Sequence, residues 1–238
     1  MYRSMSLGAQ SLMSVSASSH EDGLCNAVYE KLKGEILSGR FRPGLKLTHQ
    51  GIADKMSVSR TPVREALERL HQEGYVVREP RRGFFVGEIG NDDAHDLYGV
   101  REALELFNLS CLKTTGFNSR LAHLRSINRR YERLIRRDLT YERLMVDREF
   151  HVGLAGIGGN KCLAATLDGI FERLILKRHL ERLSDTRGDQ PYREHVALLE
   201  ALADGRAEEA ANLLRVHIRS ASERLLAHMR SFAGATIE

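Results

Sequence analysis

Asp147 and His151 stand four residues apart in a segment whose apolar residues, Leu144, Phe150, Leu154 and Ile157, recur at helical spacing. Positions i and i+4 are neighbours on one helix face, and this pair falls inside the apolar stripe rather than on the solvated side. Two more histidines repeat the pattern. His195 shares a stripe with Leu198, Leu199 and Leu202, and His217 with Ala210, Leu213, Leu214 and Ala221. A lone imidazole on an apolar face is usually a satisfied core residue, and an Asp–His pair alone reads as a buried hydrogen bond. Three such histidines and one carboxylate directed into a single core suggest instead a four-ligand centre for a divalent ion. Imidazole and carboxylate accept Zn, Ni, Mn or Fe, and the first expectation is one Zn per chain.

Arg101 is the cation of interest near this centre. It lies on a stripe with Leu97, Leu104, Asn108 and Cys111, where an unpaired charge is costly. It reads equally as a structural salt bridge with Glu105 or another carboxylate and as a receptor for an anion. Arg178, at the end of the Leu163–Leu167–Ile170–Leu174 stripe, is a weaker candidate for the same pocket, and His179 points away from that stripe. A second cluster lies nearer the N-terminus. Arg60 and Arg64 sit one helical turn apart, on a face away from Val63, Ala66, Leu67 and Leu70. They suit either a solvated surface, with Arg64 bridging Glu68, or bidentate contact with guanine in a major groove. The basic tip Arg81-Arg82 favours the nucleic-acid reading.

The elements that must position these residues change character near residue 90. Before it, Gly and Pro punctuate short segments: a helix through Val28, Leu32 and Ile36 that Ser38-Gly39 stops, a short helix over 49–56, a turn at Ser57-Val58-Ser59, and a helix from Arg60 to Gln72. Ser59 is placed to cap that third helix. Tyr75-Val76-Val77 and Phe84-Phe85-Val86 flank Pro80-Arg81-Arg82-Gly83 as a β-hairpin. Helix, helix-turn-helix and hairpin make a winged helix-turn-helix. After residue 90 come six helical segments, roughly 92–114, 119–137, 140–157, 160–183, 191–204 and 206–232. Asp92, Ser119 and Thr140 are placed as caps, and short connections imply antiparallel neighbours. The expected fold is therefore mainly α. A Ser-rich tail over 1–22, with Met5 and Met13 as alternative starts, precedes a winged domain over 23–88 and an all-α bundle of about six helices over 91–232.

Composition agrees with this reading and excludes others. The 238 residues are 42% hydrophobic and 29% charged, as a globular chain requires, and no apolar run spans a bilayer. The net charge is only +4, but residues 28–86 hold twelve bases against seven acids, so the positive surplus is local. Three scattered cysteines, Cys25, Cys111 and Cys162, form neither a disulfide framework nor a CxxC motif, which fits a reducing cytoplasm.

Pro43-Gly44-Leu45-Lys46-Leu47, the run from Ile52 through Val58-Ser59-Arg60-Thr61-Pro62-Val63-Arg64-Glu65-Ala66-Leu67, and Glu73-Gly74-Tyr75-Val76 resemble the DNA-binding domain of GntR-family bacterial regulators. Ser57 stands where that family usually has Gly, and His49 where it usually has Glu. Asp147-Arg148-Glu149-Phe150-His151, Glu194-His195-Val196-Ala197-Leu198-Leu199 and Leu213-Leu214-Arg215-Val216-His217-Ile218 are similar to the metal-ligand segments of the FCD domain, which marks the FadR-like branch. The resemblance covers roughly residues 24–230. It implies a homodimer on a palindromic operator in double-stranded DNA, with Ser59, Arg60, Thr61, Arg64, Arg81, Arg82 and Gly83 as DNA contacts. It also implies metal on Asp147, His151, His195 and His217, and a small carboxylate effector assisted by Arg101 and Arg178. Repression relieved by effector is the default expectation. The rivals are a metalloenzyme fused to a DNA-targeting module and a regulator whose metal is purely structural. Against the enzyme stand the lack of HExxH and of a pair of Glu-x-x-His motifs.

Overall fold

The computed structural model describes residues 10–112, 117–137, 141–180 and 189–233, with side chains over 23–112, 117–137, 141–178 and 189–227. The chain divides into two compact units between Glu88 and Ile89.

The first unit begins with α1 (Gln10–Leu37). Val28, Leu32 and Ile36 are fully buried, and Gly39, at φ 70°, turns the chain immediately beyond the helix. The helix reaches back to Gln10, into the stretch read from sequence as a Ser-rich tail. Despite their serines, residues 10–22 contain neither Pro nor Gly to stop a helix. Residues 1–9 lie outside the described residues. Next come β1 (Lys46–Leu47), α2 (His49–Met56), α3 (Arg60–Gln72), β2 (Val76–Glu79) and β3 (Gly83–Val86). The Thr48 hydroxyl accepts from Gly51 N–H at 3.2 Å and starts α2. The strands form one antiparallel sheet in the order β1-β3-β2, with Val76 opposite Val86 and Lys46 opposite Phe85. Val63, Ala66, Leu67 and Leu70 expose none of their surface, so the predicted stripe of α3 is the centre of this core. Ser59 occupies the N-cap position of α3, but its hydroxyl makes no capping hydrogen bond, contrary to expectation.

The second unit is a bundle: α4 (Asn91–Ser110), α5 (Phe117–Leu134), α6 (Tyr141–Gly158), α7 (Lys161–Leu180), α8 (Asp189–Ala203) and α9 (Ala207–Ala233). α4 packs against α6, α7 and α9, while α5 packs against α6 and α8. Gly90, not Asp92, is the N-cap of α4; its N–H donates to Asp93 Oδ2 at 3.0 Å, because an acid three positions into a helix can reach back to the cap. Ser119 lies inside α5, whose first described residue is Phe117, and Thr140 is outside the described residues. α4 stops at Ser110, which leaves Cys111 exposed beyond the buried stripe. At that end α4 and α6 approach closely. Asn108 Nδ2 donates to the Leu154 carbonyl at 2.9 Å, and a Cβ on Gly158 would lie 2.2 Å from Asn108 Oδ1.

Candidate metal centre and nucleic-acid interface

The apolar stripes of α6, α8 and α9 carry His151, His195 and His217 into the bundle, where they are 0%, 1% and 4% exposed. One ligand atom from each, together with one carboxylate oxygen of Asp147, lie within 4.8 Å of one another. His151 Nε2 is 3.1 Å from His217 Nε2 and 3.9 Å from Asp147 Oδ1, and His195 Nε2 is 3.6 Å from the same oxygen. The four residues singled out by spacing therefore meet at one point. His179 has no described side chain.

Each imidazole is oriented from behind. His151 Nδ1–H donates to Glu105 Oε2 at 2.6 Å, His195 Nδ1–H to Asn128 Oδ1 at 3.1 Å, and His217 Nδ1–H to Glu194 Oε2 at 2.7 Å. An acceptor at Nδ1 fixes the proton there and leaves the Nε2 lone pair facing inward, the arrangement of metal-bound histidine. Burial pushes both His151 and His195 well below the ordinary histidine range, so they are neutral at pH 7 and able to ligate. His195 Nε2 is buried with no hydrogen-bond partner among the described residues, and His151 Nε2 and His217 Nε2 are brought within 3.1 Å of each other. Both features fit a cation at this point, and the donor set suits a divalent transition metal.

None of the three was read from sequence as an acceptor for an imidazole, although Glu105 was named there as a partner for Arg101. Asn128 carried the clearest signal: it is a polar residue within the buried stripe Leu121, Leu124, Ile127 and Tyr131 of α5. Glu194 precedes His195 in the chain yet serves His217. Burial pushes its carboxyl up, but hydrogen bonds from His217 and Gln190, with the Arg224 charge, hold it below the usual carboxylate range.

Arg101 makes the buried salt bridge with Glu105 that was one of its two sequence readings. Its Nε donates to Glu105 Oε1 at 2.6 Å, and its Nη2 donates to His151 Nε2 at 2.9 Å. The guanidinium lies 4.3 Å from the centroid of the Phe171 ring. Burial raises the Glu105 carboxyl pKa, and the Arg101 charge opposes that shift. Arg178 donates from Nη2 to the Tyr98 hydroxyl at 2.7 Å and to the Ala221 carbonyl at 3.2 Å, while its Nε is buried without a partner among the described residues. It is near enough to His151 to act on it electrostatically. Both arginines thus border the centre, Arg101 by direct contact.

In the other unit, Ser59, Arg60, Thr61 and Arg64 are all exposed on the first turns of α3, opposite its buried face. Among the described residues no ion pair engages Arg60 or Arg64. Glu68, the sequence candidate for Arg64, pairs with Arg78 at 3.1 Å instead. At the tip of the β2–β3 hairpin Arg81 is exposed with φ 63°, Gly83 has φ 101°, and Arg82 pairs with Glu79 while covering the Phe85 ring. A helix N-terminus with free N–H groups, two unpaired guanidiniums and a basic loop present donors suited to phosphates and base edges.

Comparison with known proteins gives the same division. Residues 24–86 match the family described as "Bacterial regulatory proteins, gntR family", and residues 96–220 match the FCD domain. The Nta operon transcriptional regulator of Aminobacter aminovorans is 31% identical over 201 residues, covering 82% of this chain and 90% of that protein. The HTH-type transcriptional repressor RspR of Escherichia coli (strain K12) is 24% identical over 198 residues, covering 82% and 86%. Among solved structures, a GntR transcriptional regulator from Rhodococcus sp. RHA1 superposes with a TM-score of 0.71 at 26% identity, covering 85% of this chain and 97% of that one. These relatives are transcription regulators, not enzymes.

Proposed function

Because the chain belongs to the gntR family of bacterial regulatory proteins and carries an FCD domain behind its winged helix-turn-helix, we propose that this transcription regulator is a homodimeric cytoplasmic repressor whose operator affinity is set by a small carboxylate bound at a metal centre. Asp147, His151, His195 and His217 hold one divalent ion per chain. The ion supplies a fixed positive charge that attracts and orients a carboxylate, and Arg101 and Arg178 add donors at its edge. In the winged unit, Arg60 and Arg64 read bases, while Ser59, Thr61, Arg81, Arg82 and Gly83 hold the DNA backbone. Two such units on a dimer meet two half-sites of a palindrome. For regulation, the effector must bind one state of the dimer better than the other.

The observation that carries this reading is the convergence of three buried imidazoles, each with its Nδ1 proton held by its own acceptor. A core packed only for stability has no need to leave the His195 Nε2 lone pair without a partner. The test uses untagged protein purified without chelator. Elemental analysis should give one divalent ion per chain, and His195→Ala should lower that content together with thermal stability while α3 still binds DNA. An operator selected from random DNA should be palindromic and bind one dimer, and carboxylates should change its affinity. Native protein free of metal sinks the metal centre. Carboxylates that leave operator binding untouched sink the effector.

A further inference from the structure

Three buried side chains close a ring at the edge of the centre. Glu105 is the hub: its Oε1 accepts from Arg101 Nε and its Oε2 from His151 Nδ1–H, each at 2.6 Å, with the Glu105 side chain 1% exposed. The ring is completed by Arg101 Nη2, which donates to His151 Nε2 at 2.9 Å.

That last contact uses a lone pair with two claimants. A neutral imidazole protonated at Nδ1 has a single acceptor lone pair, at Nε2. His151 cannot offer it to Arg101 and to an ion together. When it ligates, the Arg101 Nη2 donor stays buried without this acceptor, which is costly until another acceptor arrives. Arg101 cannot relax by withdrawing, because Glu105 still holds its Nε and Phe171 lies against its face.

Resting on the metal and carboxylate function proposed above, we propose that Arg101 is a metal-gated anion receptor: His151 masks it in the metal-free protein, and Glu105 holds it ready for a carboxylate once the His151 lone pair is given to an ion. Glu105 is then a positioning residue that acts on the ligand through Arg101 and on the ion through His151. Metal must bind before the effector, and by reciprocity a carboxylate must tighten the metal by the factor by which metal tightens the carboxylate. Simple ligation of the ion by a carboxylate would also couple the two, but would not depend on Glu105.

The experiment uses Ni²⁺ and acetate as probes on the full chain. Ni²⁺ affinity is measured by competition with a chromophoric chelator in chloride buffer, with and without acetate, correcting for nickel acetate. In the wild type, acetate should tighten Ni²⁺ by roughly 5–150-fold, and metal-free protein should show no thermal shift with acetate. Glu105→Gln leaves one acceptor oxygen for two donors and turns an amide NH₂ toward the other. Its acetate enhancement should fall below about twofold, the level at which coupling is negligible. If Glu105→Gln does not fold, Glu105→Asp takes its place; it keeps a charge for Arg101 but is too short to span both donors, and should lose the enhancement equally. An enhancement as large in the folded variant as in the wild type overturns the proposal alone, leaving Glu105 as a counter-charge. A thermal shift of metal-free wild type with acetate also overturns it, since Arg101 would not be masked. If wild type binds Ni²⁺ without any acetate effect, the carboxylate reading falls with it. If wild type takes no Ni²⁺, the metal centre itself is refuted.

Discussion

Arg64 and Arg81 are both exposed cations, yet they should lose different things when truncated. Arg64 leaves the first turns of α3, where a guanidinium can make two hydrogen bonds to one guanine, whereas Arg81 sits at the hairpin tip, which is proposed to meet the sugar-phosphate chain. Arg64→Ala should cost ~1–3 kcal/mol and relax preference at one base pair. Arg81→Ala should weaken binding to all sequences alike and flatten the salt dependence by about 0.9 per lost phosphate contact. Binding titrations on specific and random DNA across a salt series decide the matter; identical losses on both would abolish the division of roles. At this scale, the four candidate ligands were legible because each is a polar residue set into an apolar stripe. Their Nδ1 acceptors were not. Glu105, Asn128 and Glu194 reach histidines 46, 67 and 23 residues away, and a pairing between helices leaves no periodic mark in the chain.

Among the elements, the turn between α2 and α3 carries strain. Ser57 closes α2 at φ 55° and ψ 42°, with its N–H directed at the Ala53 and Asp54 carbonyls. In that left-handed conformation a Cβ crowds the following carbonyl oxygen, at a cost of ~1–2 kcal/mol that glycine avoids. Part of that gain is offset because glycine has more freedom to lose on folding, by roughly 0.5–1 kcal/mol. Ser57→Gly should therefore stabilise the winged unit by about 0.5–1 kcal/mol, read as a shift of the urea midpoint at constant slope. A midpoint that moves down would mean the serine side chain supplies something the turn needs. The bounds of α2 and α3 followed from helical periodicity and turn residues. β1 did not, since two residues are too few to show alternation, and the cap of α4 was misplaced because Asp92 is a favoured capping type, whereas Gly90 has no side chain to mark it and is reached instead by Asp93.

For the whole molecule, the buried centre makes stability depend on acidity. His151 and His195 are held well below the ordinary histidine range by burial, so the unfolded chain takes up protons that the folded metal-free chain refuses. Stability from these groups is complete above the unfolded value of about 6.5 and is lost as pH falls below it. Glu105, pushed up by burial, is a single group acting in the opposite sense. The urea midpoint of metal-stripped protein should thus be lower at pH 5.5 than at pH 7.5; an increase would show that the imidazoles fold in the charged form. Metal should raise the midpoint at both values, by about 2.7 kcal/mol when free ion exceeds its dissociation constant a hundredfold.

The clasp between Asn108 and Gly158 gives α4 a fulcrum. With Asn108 bonded to the Leu154 carbonyl and no room for even a methyl group beside it, the C-terminal end of α4 is held against α6, so a tilt of the helix would pivot there. At 1.5 Å of rise per residue, Arg101 stands about 10 Å from the fulcrum and Asn91 about 26 Å. Leverage follows from the ratio: a displacement of Arg101 of about half an ångström becomes more than an ångström at Asn91, on that same helical rise. Asn91 lies two residues beyond Ile89, where the chain enters the bundle from the winged unit. Were the proposed carboxylate to nudge that guanidinium, a tilt of α4 would carry a larger displacement to the end of the helix nearest in sequence to the winged unit.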